Sequence, residues 1–98
     1  MRFEWDERKA EINLQKHGVS FDEAKEVFLD NFSLDEYDVH HSDIEDRFFR
    51  VGLSRRNVLL VVYAVKDEIT ETYRLISARK ASKVYETTYW KERNNRGG

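Results

Sequence analysis

VLLVVYAVK, residues 58 to 66, is apolar at both parities: Val58, Leu60, Val62 and Ala64 on one, Leu59, Val61, Tyr63 and Val65 on the other. A strand with one wet face alternates apolar and polar, so a run like this is covered on both faces and belongs in the middle of a sheet. Three shorter β-type runs surround it, FSLDEYD (32–38), RFFRVGLS (47–54) and ETYRLISA (71–78), joined by VHHSDIED, RRN and DEIT. Polar connectors this short predict consecutive antiparallel strands, with FSLDEYD, mostly polar, as an edge.

Helical patterns flank this meander. After RFEW, a short first strand, Asp6 is placed to cap a helix that carries Ala10, Leu14 and His17 on one face and stops at Gly18. Ser20 followed by Glu23 is a capping-box pattern, and Phe21, Ala24, Val27 and Phe28 recur at helical spacing up to Leu29. Beyond the meander, Ser77 is the expected N-cap of a third helix, with Ala81, Val84, Tyr85 and Thr88 on one face and Lys80, Lys83 and Lys91 toward another. The order β-α-α-β-β-β-β-α predicts an α+β fold: an antiparallel sheet of four to five strands, two N-terminal helices and one C-terminal helix. One domain is expected over residues 1–98, with NNRGG (94–98) a flexible tail.

Composition narrows the function. With 40% hydrophobic and 37% charged residues the chain is too apolar for disorder and too charged for a membrane span. Its start, MRFEWDERKAEI, has no apolar signal segment, so a cytoplasmic location away from membranes is expected. The absence of cysteine excludes disulfides, thiol catalysis and zinc-thiolate sites. The formal charge of −2 hides a division: residues 1–46 carry 5 Lys and Arg against 14 Asp and Glu, a net −9, and residues 47–98 carry 12 against 5, a net +7. Either the basic half meets an anionic ligand or the two halves neutralise each other in the fold.

Three groups of residues could carry chemistry. Arg50 and Arg74 sit in mid-strand among apolar and aromatic neighbours, an arrangement suited to clamping phosphate beside a stacked base; alternatively Arg74 snorkels at the sheet margin or pairs with Glu71 or Glu86. Arg79 and Lys80, with Lys83, follow Ser77, so side-chain cations and helix N–H groups would converge as an anion site, unless this is only a solvated first turn. HHSDIEDR (40–47) offers a histidine as general acid or base, with Glu45 or Asp46 beside Arg47 to orient it or act directly, unless this is merely a polar loop. Adjacent histidines in an extended segment point apart, and no ligand spacing is present, so no metal is expected. Lys16 adds a cation at the end of the first helix, where His17 meets the helix dipole. Trp5 and Trp90 are expected as core or interface anchors.

FEWD, NLQKHGVSFDEA, VF, HSDIEDRFFRVG and RLISARKAS, in that order between Phe3 and Tyr89, resemble the signature segments of the BrnT family of bacterial toxins. The resemblance implies a RelE-like fold and a ribonuclease that blocks translation within a type II toxin-antitoxin system. It also implies neutralisation by a BrnA antitoxin with a ribbon-helix-helix domain, through which alone operator DNA would be bound. Its signature segments map to His41, Ser42, Asp43, Glu45, Asp46 and Arg47, to Arg74, Ile76, Ser77, Ala78 and Arg79, and, in the first helix, to Asn13, Leu14, Lys16, His17 and Gly18. His40, Ile44 and the YETTYW end depart from the pattern.

The chemistry that follows needs no cofactor: the 2′-hydroxyl of the RNA attacks the adjacent phosphate. Arg74 and Arg79 would stabilise the transition state, Arg47 orient the phosphate, and His41 or Glu45 move the proton. Lys16, Arg50, Lys80 and Lys83 would hold the rest of the RNA. Two other classes use the same basic face: a non-catalytic module that binds RNA or the ribosome, and a protein whose cations only dock an acidic segment of an antitoxin.

Overall fold

The computed structural model describes residues 1–97. The chain forms β1 (Arg2–Glu4), α1 (Glu7–His17), α2 (Phe21–Ala24) running into a 3₁₀ turn (Lys25–Leu29), β2 (Leu34–Tyr37), β3 (Arg47–Leu53), β4 (Val58–Asp67), β5 (Thr72–Lys80) and α3 (Lys83–Gly97). The fold is α+β, with one sheet in the order β1-β5-β4-β3-β2.

β4 is the middle strand, as its two apolar parities require. Leu59, Val61 and Tyr63 pack under α1, α2 and the 3₁₀ turn, in one core with Phe21, Phe28, Leu75 and Ala78. Val58 and Leu60 face the other way, into a smaller core with Val51 and Tyr89. β2 is an edge, as expected. β1 occupies the opposite edge and runs parallel to β5, Arg2 opposite Thr72 and Glu4 opposite Arg74, so the sheet is mixed rather than wholly antiparallel. Three residues carry no pattern that specifies a pairing direction.

Local signals account for the helix ends. The Asp6 carboxylate accepts from the N–H groups of Arg8 and Lys9, and Gly18, at φ 69°, closes α1 in the left-handed region. The buried face of α1 differs from the expected one. Asn13 is 5% exposed whereas Leu14 is half exposed, because α1 turns the Asn13 amide toward β5. Ser20 caps α2 through the Glu23 N–H, but Glu23 does not close the box: its carboxylate accepts from the buried Ser54 hydroxyl at 2.6 Å.

The C-terminal part departs from the expected pattern at three points. β5 continues to Lys80, so Ser77 is mid-strand and Arg79 and Lys80 do not start a helix. Ser82 takes the cap position instead: its carbonyl accepts from Glu86 N–H at 2.8 Å and its hydroxyl lies 3.4 Å from Tyr85 N–H. α3 then docks through Tyr89, which is fully buried and donates to Asp30, rather than through Val84, which is 74% exposed. Residues 94–97, expected in a flexible tail, continue α3; Gly98 lies outside the described residues.

Candidate active site

Strand register sets out the site on the α3 face of the sheet. Arg47 and Arg74 both lie opposite Ala64, Phe49 and Ser77 opposite Val62, and Val51 and Arg79 opposite Leu60, giving three rows across β3, β4 and β5. Neighbouring strands are about 4.8 Å apart and same-face residues about 6.8 Å apart along a strand, so Arg47, Arg74 and Arg79 mark three corners of one patch. A bulge decides this. Leu75 pairs with Tyr63 and Ser77 with Val62, leaving Ile76 as an extra residue in β5. Simple alternation would put Arg74 and Arg79 on opposite faces; the extra residue brings them to the same one.

Over this patch lies a cleft of about 380 Å³. Phe49, Leu60, Val62 and Ile76 give it an apolar floor, Arg47 and Arg79 bound it, and His17, His40, His41, Asp38, Ser77 and Tyr85 complete its walls. Asp38 is the one carboxylate among these lining residues, so the cleft is cationic.

His41 Nδ1 lies 3.1 Å from both carboxylate oxygens of Asp38. Donation from Nδ1 fixes the ring and leaves the Nε2 lone pair available as a base. Ser42 braces this loop: its hydroxyl donates to the Asp38 carbonyl and accepts from Arg47 N–H at 3.0 Å, while Asp38 N–H donates to the Arg47 carbonyl at 2.8 Å. His41 and Arg47 are thus held in one hydrogen-bonded loop.

Arg47 Nε is buried and finds no hydrogen-bond acceptor; Glu45 Oε1 is 3.9 Å away. A buried donor left unpaired costs about 1–3 kcal/mol, which a bound anion would recover. Arg79 makes no ion pair among the described residues. Arg74 differs from both. It is ion-paired with Glu45, not with Glu71 or Glu86, at the margin of the cleft rather than in its lining.

The other expected contacts divide by location. Lys16 lies with Lys9 and Ile12 in a groove that meets the cleft at His17, Ile76 and Ser77. Lys83 is exposed at the first position of α3. Arg50 and Lys80 do not join the site. Arg50 is on the opposite face, its guanidinium 4.5 Å from the Phe28 ring centroid and bonded to Asp35 at 3.1 Å. Lys80 pairs with Leu59 in the register and so also points to that face. In both cases strand parity, offset by the bulge in β5, separates residues that are close in sequence.

A family model for a ribonuclease toxin, BrnT, of a type II toxin-antitoxin system matches residues 5–84. The chain belongs to the BrnT family. No curated protein matches it. Within this BrnT chain the matched segment holds every cleft residue except Tyr85. Asp38, His17, His40 and Tyr85 were not singled out as site residues from the sequence. The Asp38-x-x-His41 spacing was the available signal for the first, and the placement of His17 at the end of α1 for the second.

Proposed function

We propose that this protein is an endoribonuclease toxin that cleaves RNA through its own 2′-hydroxyl, without a metal ion, and thereby arrests translation in the cytoplasm. A BrnA-type ribbon-helix-helix antitoxin would neutralise it by covering the cleft, and operator DNA would be bound only through that antitoxin. Among the described residues, no helix is long and apolar enough to cross a membrane.

The observation that carries this reading is the unpaired Nε of Arg47 in the same cleft as His41, whose ring Asp38 holds. His41 Nε2 takes the proton from the 2′-hydroxyl, the freed oxygen attacks phosphorus, and the P–O5′ bond breaks to leave a 2′,3′-cyclic phosphate. His17, across the cleft, returns a proton to the departing 5′-oxygen. Arg47 and Arg79 bear the charge that grows on the phosphoryl oxygens, which they hold more strongly in the transition state than in the ground state. Arg74 and Glu45 act as a pair at the margin, Arg74 adding positive field and Glu45 orienting Arg47. Lys16 and Lys83 contact flanking phosphates.

The test is in vitro cleavage of RNA by the purified protein in EDTA, with end-group analysis. The parent should yield 2′,3′-cyclic phosphate ends, and Arg79→Ala or His41→Ala should slow cleavage about 100- to 1,000-fold. Cleavage by both variants within a few-fold of the parent, or activity abolished by EDTA, would overturn this mechanism.

A further inference from the structure

The cleft holds more than a phosphate requires. Phosphate recognition needs donors and cations, yet the floor between Arg47 and Arg79 is apolar, and at one end Tyr85 stands against Phe49 with ring centroids 5.7 Å apart at 76°. Tyr85 is 37% exposed, so over a third of the residue is open to solvent. Three of the other four tyrosines are fixed by carboxylates, Tyr37 by Asp46, Tyr63 by Asp35 and Tyr89 by Asp30, while Tyr73 packs among the rings of Phe3, Phe28 and Tyr63. No such tether holds Tyr85 among the described residues, and it lies just past the segment matched by the family model, residues 5–84. A volume of about 380 Å³ falls in the range of about 300–1,000 Å³ for small-ligand clefts.

We propose that Tyr85 and Phe49 form a stacking subsite for one unpaired nucleobase, next to the phosphate held by Arg47 and Arg79. This rests on the ribonuclease reading and deepens it: the substrate is single-stranded at the cleaved step, because a base stacked within a duplex cannot reach the ring of Tyr85. Aromatic stacking tolerates any base, so the subsite selects strandedness before sequence. The adjacent ring of Phe49 restrains Tyr85 at the mouth of the cleft.

Two measurements test this with the intact protein. The first is quenching of 2-aminopurine in a single-stranded RNA made uncleavable by one 2′-deoxy sugar. The second is cleavage of the all-ribose strand, free or closed into a hairpin stem. The parent should quench the probe and strongly prefer the free strand. Tyr85→Phe should retain both properties. Tyr85→Leu, which keeps apolar packing on Phe49 without a π-face, should weaken binding about 5- to 100-fold. It should raise KM with little change in kcat. Failure of the ribonuclease reading shows separately, as no cleavage by the parent while quenching persists and still responds to Tyr85. Absence of quenching, equal cutting of stem and free strand, or a Tyr85→Leu variant that binds RNA normally and loses affinity only for an antitoxin would each overturn the subsite.

Discussion

Asn13 does with one amide what another strand would do with its backbone. Beyond β1, which ends at Glu4, the free edge of β5 leaves the N–H and C=O of Ala78 without a strand partner. Asn13 Oδ1 accepts from Ala78 N–H at 3.0 Å, and Nδ2 donates to the carbonyls of Ala78 and Val19 at 2.8 and 2.9 Å. Asn13→Ala would leave these buried groups unpaired and should cost about 2–4 kcal/mol in denaturant unfolding. Because Arg79 follows Ala78 directly, activity should fall further than stability accounts for. The sequence concealed this role because a polar residue is excluded from an apolar face by construction. Asp30 illustrates a second kind of residue effect. Burial disfavours its charge, but Tyr89, the N–H groups of Leu53 and Phe32, and nearby Arg93 together hold its pKa below the usual value. With an unfolded pKa of about 3.9, its contribution is complete above that pH and is lost as pH falls through the lower native value. Asp30→Asn should therefore be less stable at pH 7, with the difference from the parent narrowing on acidification below about pH 4, as followed by thermal unfolding across a pH series.

At the scale of elements, the extra residue in β5 explains both a misreading and a tolerance. Alternation counted from Tyr73 assigns Arg79 to the wrong face, and local capping logic assigns it to a helix, since Ser77 followed by Ala and Arg fits a helix start. What overrides both is non-local: pairing of Arg79 with Leu60 and Lys80 with Leu59, together with the Asn13 amide. Removing Ile76 would leave every other β5 side chain on its present face. That deletion should therefore give a cooperatively folding protein with a reduced cleft, as followed by circular dichroism. Gly52 marks another close approach. A Cβ there would lie 2.7 Å from Val27 Cγ1 and 3.0 Å from Ser33 Cβ, so Gly52→Ala should destabilise by about 1–3 kcal/mol. The central strand, the β2 edge and the caps at Asp6, Gly18 and Ser20 were all legible, because each is written in adjacent residues.

For the molecule as a whole, the charge division seen in the sequence is partly consumed by folding. Asp35 pairs with Arg50, Glu26 with Arg55, Glu45 with Arg74 and Asp30 with Arg93, each joining the acidic half to the basic half. Both expectations thus hold in part: these four arginines are answered internally, and the cleft keeps Arg47 Nε and Arg79. If two to four cations meet RNA phosphate, log affinity should fall with log salt at a slope of only about 1.4 to 2.8, and a slope above about 5 would mean phosphate contacts well beyond the cleft. Which cations stay free could not be read from composition, since it depends on the partners brought together by strand register. The pairing of β1 with β5 has a consequence for synthesis. Arg2 reaches Thr72 across α1, α2 and three intervening strands, and the cleft takes Arg79 and Tyr85 from the same late region. A ribosome that stops before this region releases a fragment with an unclosed sheet, half the cationic pair and no aromatic wall. On the proposed site, interrupted translation therefore yields inert pieces, because the cleft is complete only once Tyr85 has been made.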